Sequence, residues 1–174
     1  ISQLFDRVDQ LSKPTIAAIN GYCQGGGFEF ALCCDIRIAE QGDYRIGLPE
    51  TNIGIFPGAG GTQRLPRVIG EARALELILR GKTVGPEEAA ELGMVHHLTE
   101  GPALDLALDI VKDFTSKTAR ALKDAKTLVK SATTTPLAEG CAKERGLFSA
   151  LLLEDGEASD LMAKFIANGE DINT

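Results

Sequence analysis

Apolar positions recur in short, glycine-broken runs in the first half of the chain and at helical spacing in the second. Leu4, Val8 and Leu11 fall on one face with Phe5 beside them, which predicts a helix over residues 2–12 ended by Pro14. Thr15-Ile16-Ala17-Ala18-Ile19 is a short β-prone run stopped by the turn pair Asn20-Gly21. After Gly25-Gly26-Gly27, residues 28–34 are apolar enough for a buried helix, and residues 35–39 alternate as a strand does. Tyr44-Arg45-Ile46 reads as a further strand, and residues 47–61, with Pro49 and Pro57, as loop. Helices are expected over 61–68 and 71–80, the latter with Ala72, Leu75, Ile78 and Leu79 inward. Gly85-Pro86-Glu87-Glu88 starts another, with proline in the first turn and acids beside the positive helix end. Gly93 ends it and residues 94–98 read as a strand. From residue 102 three or four helices follow, one with Leu104, Ala107, Leu108, Val111 and Phe114 on a single face.

No tandem repeat, low-complexity tract or linker divides the sequence, and 174 residues suit one well-packed domain. With no Trp and two Tyr, the core rests on Leu, Ile, Val and Ala. The net charge of −7 argues against a nucleic-acid or anionic-membrane partner, although a local site can still take an anion. Cys33 and Cys34 sit side by side in an apolar run, so the four cysteines read as reduced core thiols of a cytosol-like compartment rather than a disulfide scaffold. No apolar run approaches the ~18 residues of a membrane span, and no signal-peptide pattern opens the chain. It opens instead at Ile1-Ser2-Gln3-Leu4-Phe5, without an initiator Met, as if entering in mid-helix; more sequence is expected upstream.

Chemistry concentrates around the glycines. Gly25-Gly26-Gly27 directly before a helix allows close backbone approach, and the first N–H groups of a helix lack internal partners. Such a place suits an anion or a carbonyl oxygen gaining negative charge, but close backbone packing explains it equally well. Gly58-Ala59-Gly60-Gly61-Thr62-Gln63 lacks the Gly-Lys-Ser/Thr ending of a triphosphate loop and the last glycine of the dinucleotide fingerprint. His96 and His97, the two histidines, have no nearby ligand set and read as ordinary strand residues rather than a metal site. Glu29 stands among Phe28, Phe30, Ala31 and Leu32, where burial without partners costs several kcal/mol; a first-turn glutamate facing water is the plainer account. Glu50 follows Pro49 in a loop. Two carboxylates in differing environments can divide into an acid and a base near neutral pH.

The order of motifs resembles a known family. Residues 13–21 (Lys-Pro-Thr-Ile-Ala-Ala-Ile-Asn-Gly) precede Gly25-Gly26-Gly27-Phe28-Glu29 and Cys34-Asp35-Ile36-Arg37-Ile38-Ala39. Gly47-Leu48-Pro49-Glu50, Pro57-Gly58-Ala59-Gly60-Gly61-Thr62-Gln63-Arg64-Leu65, Gly85-Pro86-Glu87-Glu88-Ala89 and Leu92-Gly93-Met94-Val95 follow. In this order they resemble the enoyl-CoA hydratase/isomerase (crotonase) superfamily. The resemblance implies an α/β fold, a spiral of ββα repeats over residues 1–100, with a helical trimerisation region over 101–174. It implies an acyl-CoA thioester substrate, no cofactor beyond the coenzyme A of that substrate, no metal, and a homotrimer or dimer of trimers in the cytoplasm, or in the mitochondrial matrix of a eukaryote. Glu29 and Glu50 match the catalytic glutamates: Glu29 would help activate water and Glu50 exchange the proton at the α-carbon. The Gly26 N–H would be an oxyanion donor and Gly58 would help place the water. Gly25, Pro49 and Pro57 would join Gly26 in binding the substrate.

Both ends depart from the pattern. The family's opening third, which supplies a second oxyanion N–H, is expected upstream of Ile1, and this chain alone is expected to be inactive. Many relatives end with a phenylalanine and a basic cluster, whereas residues 164–170 hold one lysine. Lys164 and Phe165 are candidates to reach a neighbouring subunit's coenzyme A, with plain surface packing as the alternative. Having both glutamates favours hydration of a 2-enoyl-CoA. Isomerisation, hydrolysis or decarboxylation of an acyl-CoA, or a non-catalytic truncated subunit, stay open, and Ile53, Ile55 and Phe56 are candidates for an acyl pocket.

Overall fold

The computed structural model describes residues 2–169, so Glu170 of the tail pattern lies outside the described residues. The chain divides into two units, Ile1–Lys112 and Asp113–Thr174. The first is an α/β unit in which strands and helices alternate; the second is helical.

In the first unit, α1 (Ser2–Asp9) is followed by β1 (Ile16–Ile19) and β2 (Cys23–Gln24). Then come α2 (Gly26–Cys33), β3 (Ile36–Glu40) and β4 (Ile46–Gly47). A 3₁₀ turn (Glu50–Ile53), α3 (Gly61–Ile69), α4 (Glu71–Leu79), β5 (Thr83–Val84), α5 (Pro86–Glu91), β6 (His97–Thr99) and α6 (Ala103–Thr115) complete the order. One three-stranded sheet runs β1-β3-β6, all parallel; the other runs β2-β4-β5, with β2 parallel and β5 antiparallel to β4. The register of the first sheet is fixed at its start, where Asp35 Oδ2 accepts from the Thr15 amide at 2.8 Å and its hydroxyl at 3.0 Å. The main core joins Phe28, Leu32, Ile46, Leu48, Leu65, Leu77, Val84 and Met94, so it lies between α2, the β4 region, α3, α4 and the turn after α5. Arg37 is buried across β3 with its guanidinium donating to the Met94 and Cys34 carbonyls at 2.8 and 2.9 Å. Burial lowers its pKa from the ordinary guanidinium value, with Cys34 and Asp35 opposing the shift, and the two bonds keep the buried charge hydrogen-bonded.

Several expected boundaries shift. α1 stops at Asp9 rather than residue 12, because the Leu11 amide closes a tight bond to the Val8 carbonyl. Its buried residue is Phe5, edge-on to Phe30 at 5.4 Å, whereas Leu4 and Leu11 are exposed. α2 starts two glycines earlier than the apolar run. The strand expected over 94–98 is confined to His97–Thr99, since the Met94 and Val95 amides turn back to the Ala89 carbonyl. α4 buries Ala74, Leu77 and Ile78, leaving Leu75 and Leu79 exposed. α6 buries Ala103 and Ala107 beneath Ile38 and leaves Leu104, Leu108 and Val111 exposed. Both helices carry two apolar stripes at helical spacing, and periodicity alone does not say which one meets the core.

The second unit holds α7 (Ala119–Ser131), α8 (Leu137–Glu154) and α9 (Gly156–Asn168). The Thr118 hydroxyl caps α7 and the Asp155 carboxylate caps α9, each accepting from first-turn amides. Arg120 ties α7 to α8 through Glu154 at 3.2 Å. None of these three helices fully buries a side chain, and Val129, Leu137, Phe148, Leu153, Leu161 and Ile166 are exposed.

Candidate active site

Glu29 and Glu50 follow adjacent parallel strands. Cys23 and Gln24 of β2 pair in register with Ile46 and Gly47 of β4, and parallel strands release their chains at the same end. β2 leads through Gly25 into α2, which carries Glu29; β4 leads through Leu48 and Pro49 into the 3₁₀ turn, which begins with Glu50. The Gly25 amide donates to the Gly47 carbonyl at 3.0 Å and extends the pairing to the threshold of both elements. Gly25 has φ +55°, which L side chains rarely adopt, and a Cβ there would sit 3.4 Å from Glu50 Oε1. The backbone leading into Glu29's helix therefore lies directly against Glu50's carboxylate.

Glu29 is 4% exposed, which rules out the water-facing first-turn glutamate. Its Oε1 accepts from the Ala59 and Gly61 amides, both at 2.8 Å. These two bonds occupy the lone pairs of Oε1, so Oε2 is the oxygen left to take a proton. Gly61, first residue of α3, has no room for a side chain: its Cβ would lie 2.8 Å from Leu48, 2.9 Å from Pro57 and 3.0 Å from Glu29 Oε1. Glu50 is half-buried, and its Oε2 is enclosed with no hydrogen-bond partner among the described residues. Burial raises its pKa above the ordinary carboxylate value, a backbone hydrogen bond opposes this, and the Glu29 charge adds to the rise. The two carboxyl groups thus feel one another electrostatically.

The turn bearing Glu50 is pinned from outside. The Thr51 hydroxyl donates to the Ile78 carbonyl and the Asn52 side-chain amide to the Gly81 carbonyl, each at 2.9 Å. Pro49 precedes the turn, half-buried, and its carbonyl accepts from the Asn52 backbone N–H at 3.0 Å. Gly26 and Gly27, in the first turn of α2, are exposed, and a Cβ on either would meet nothing within 4 Å. Their amides stand at a helix start, where no intrahelical acceptor exists.

Of the residues singled out from the sequence, Glu29, Glu50, Gly25, Gly26, Pro49 and Pro57 fall around this junction, with Pro57 fully buried against it. Gly58 is exposed beside them, and the donors to Glu29 are its successors Ala59 and Gly61. The sequence signal for those donors is the glycine-rich approach to α3, which reads as loop until its amides are seen to converge. Lys164 (exposed) and Phe165 (half-buried) lie on α9 in the second unit. Ile53, Ile55 and Phe56 are exposed on and after the 3₁₀ turn. Among the described residues, no group of three or more His, Cys, Asp or Glu could hold a metal ion, and no helix is long and apolar enough to cross a membrane.

A family model described as enoyl-CoA hydratase/isomerase matches residues 1–165. An enoyl-CoA isomerase/hydratase of Mycosarcoma maydis is 39% identical over 153 residues, covering 87% of this chain and 56% of the relative. A 2,3-dehydroadipyl-CoA hydratase of Escherichia coli is 40% identical over 153 residues, covering 86% and 58%. The crystal structure of an enoyl-CoA hydratase from Bacillus anthracis superposes with TM-score 0.87 at 37% identity, covering 93% of this chain and 63% of that one. The chain thus spans little more than half the length of the curated relatives it matches.

Proposed function

Since this chain belongs to the enoyl-CoA hydratase/isomerase family, we propose that it hydrates a 2-enoyl-CoA thioester to the 3-hydroxyacyl-CoA, with Glu29 as base and Glu50 as acid. The observation that carries this reading is the pairing of two carboxyl groups at one strand end, one fully hydrogen-bonded through Oε1 and the other pushed towards its protonated form. Water attacks the β-carbon while giving a proton to Glu29 Oε2. Electron density moves through the conjugated system onto the thioester oxygen, and the α-carbon takes its proton from Glu50. A proton passed from Glu29 back to Glu50 resets the pair.

The amide of Gly26 is the donor proposed for the thioester oxygen; a preorganised donor of this kind lowers such a barrier by about 3–4 kcal/mol. Open space above Gly26 and Gly27 supports that role. The intact protein should bleach the ultraviolet absorbance of an enoyl thioester and add one water mass without releasing coenzyme A. Glu29→Gln and Glu50→Gln should each lower kcat on the order of 10²–10⁴-fold. Undiminished rates in both variants would end the reading, and a product of unchanged mass would replace it with isomerisation, the reaction also in the Mycosarcoma maydis relative's name.

The exposed stripes Leu75/Leu79 on α4 and Leu104/Leu108/Val111 on α6, with the apolar residues of α7–α9, support assembly into a trimer or a dimer of trimers. In such an assembly Lys164 and Phe165 are candidates for coenzyme A contact with a neighbouring subunit. Light scattering that gives a monomer at micromolar concentration would exclude this.

A further inference from the structure

Arg64 has no part in the chemistry proposed above, yet its side chain reaches the loop that holds Glu29. Its Nη2 lies 2.8 Å from Asp6 Oδ1 and its Nε 3.2 Å from Asp9 Oδ2, so two carboxylates of α1 fix the guanidinium. The remaining nitrogen, Nη1, donates to the Ala59 carbonyl at 3.1 Å. Arg64 is largely enclosed, with its side chain 16% exposed, and its own amide donates to the Gly60 carbonyl at 2.8 Å. Gly60 has φ +104°, and a Cβ on it would collide with Arg64 Nη1. Gly60 is also the one residue between Ala59 and Gly61, the two amides that meet Glu29 Oε1. The guanidinium therefore lies against the hinge of Glu29's amide cradle.

We propose that Arg64 is a positioning residue: anchored on Asp6 and Asp9, it holds residues 59–61 in the conformation that lets both amides grip Glu29 Oε1, and so fixes where Oε2 points. An arginine serving only to tie α1 to α3 needs the two ion pairs and nothing more. The third bond, into the Ala59 carbonyl, is spent on the cradle itself. The planar fork makes this division possible, since its nitrogens point in fixed and different directions. A lysine ammonium is a point charge that cannot serve two carboxylates and a carbonyl at these separate places. The inference rests on the reading of Glu29 as the base.

The test compares wild type, Arg64→Ala, Arg64→Lys and Glu29→Gln in the intact protein, measuring kcat, KM and thermal melting. Arg64→Ala should lose kcat on the order of 10²-fold, the cost of a misplacement of about 1 Å, with KM little changed. Millimolar guanidinium should restore part of the kcat of Arg64→Ala and none of Glu29→Gln, and Arg64→Lys should stay impaired. A wild-type kcat in Arg64→Ala, with only its melting temperature lowered, would reduce Arg64 to a structural tie and overturn the inference. If Arg64→Ala does not fold, Asp6→Asn/Asp9→Asn carries the same comparison: loss of kcat supports the role and an unchanged kcat overturns it. If wild type hydrates no enoyl-CoA, the functional reading fails separately. A crystal structure of the Arg64 variant, or of the Asp6/Asp9 variant in its place, then decides the inference. Ala59 and Gly61 amides still within 3.5 Å of Glu29 Oε1 would overturn it, and lengthened or lost bonds would support it.

Discussion

Glu29 and Glu50 carry the same carboxyl group at the same end of two paired strands, and the chain surrounds them in opposite ways. Glu29 is almost wholly enclosed, and two amides meet one of its oxygens. Glu50 is half exposed, but its enclosed oxygen meets no donor among the described residues, and its pKa is raised. Depth and hydrogen bonding thus run opposite ways: the deeper carboxyl has an oxygen held by two amides, and the shallower one has an enclosed oxygen without a donor among the described residues. The supports differ as well. Glu29's cradle is built from backbone at a helix start, whereas Glu50's turn hangs on the side chains of Thr51 and Asn52.

The strongest way to break this contrast is Gly61→Ala. The added Cβ presses on Leu48, Pro57 and Glu29 Oε1 at once. It should cost about 1–3 kcal/mol in chemical denaturation and depress the proposed hydration by displacing Glu29. A fully active, fully stable Gly61→Ala protein would show that the cradle is not rigid.

A smaller effect is expected on the other side from Asn52→Ala. Losing its bond to the Gly81 carbonyl should cost about 1 kcal/mol in the same assay. The Ala59 and Gly61 amide signals should stay where they are, while those of the Glu50 turn move. Equal disturbance of both sets would mean that the two supports are not separate.

The smallest effect lies in the pH dependence of stability. Glu50's folded acidity is weaker than its ordinary value of 4.5, so between 4.5 and the raised folded value the native state binds more protons than the unfolded one. Stability should therefore fall as pH rises through that window. Glu50→Gln should remove the fall, gaining stability above the window relative to wild type and nothing below pH 4.5. Parallel stability curves across that range would contradict the assignment.

How much of this was legible in sequence varies from element to element. α2, β3, α3 and the start of α5 follow from apolar runs, alternation and the Gly-Pro-Glu-Glu opening, and they came out close to expectation. The two-residue strands Cys23–Gln24 and Thr83–Val84 are too short to show alternation, so the sheet that aligns the two carboxylates was invisible. The 3₁₀ turn beneath Glu50 was hidden in a stretch that reads as loop, because its proline and glycines mark chain reversal without saying of what kind. The inward faces of α4 and α6 differ from the expected ones because each helix has a second apolar stripe. At the site, Glu29 and Glu50 stood out through their place in the motif order. The Ala59 and Gly61 amides did not, since every residue but proline has such a group and only the fold says where it points.

Convergence of the two carboxyl groups is tested most directly by following the Glu50 carboxyl carbon by NMR through a pH titration, in wild type and in Glu29→Gln. Glu50 should titrate above its ordinary value in the wild-type protein and move down when the neighbouring charge is removed, because that charge is one cause of its rise. A Glu50 titration that is the same with and without Glu29's charge would mean that the two groups do not share a site.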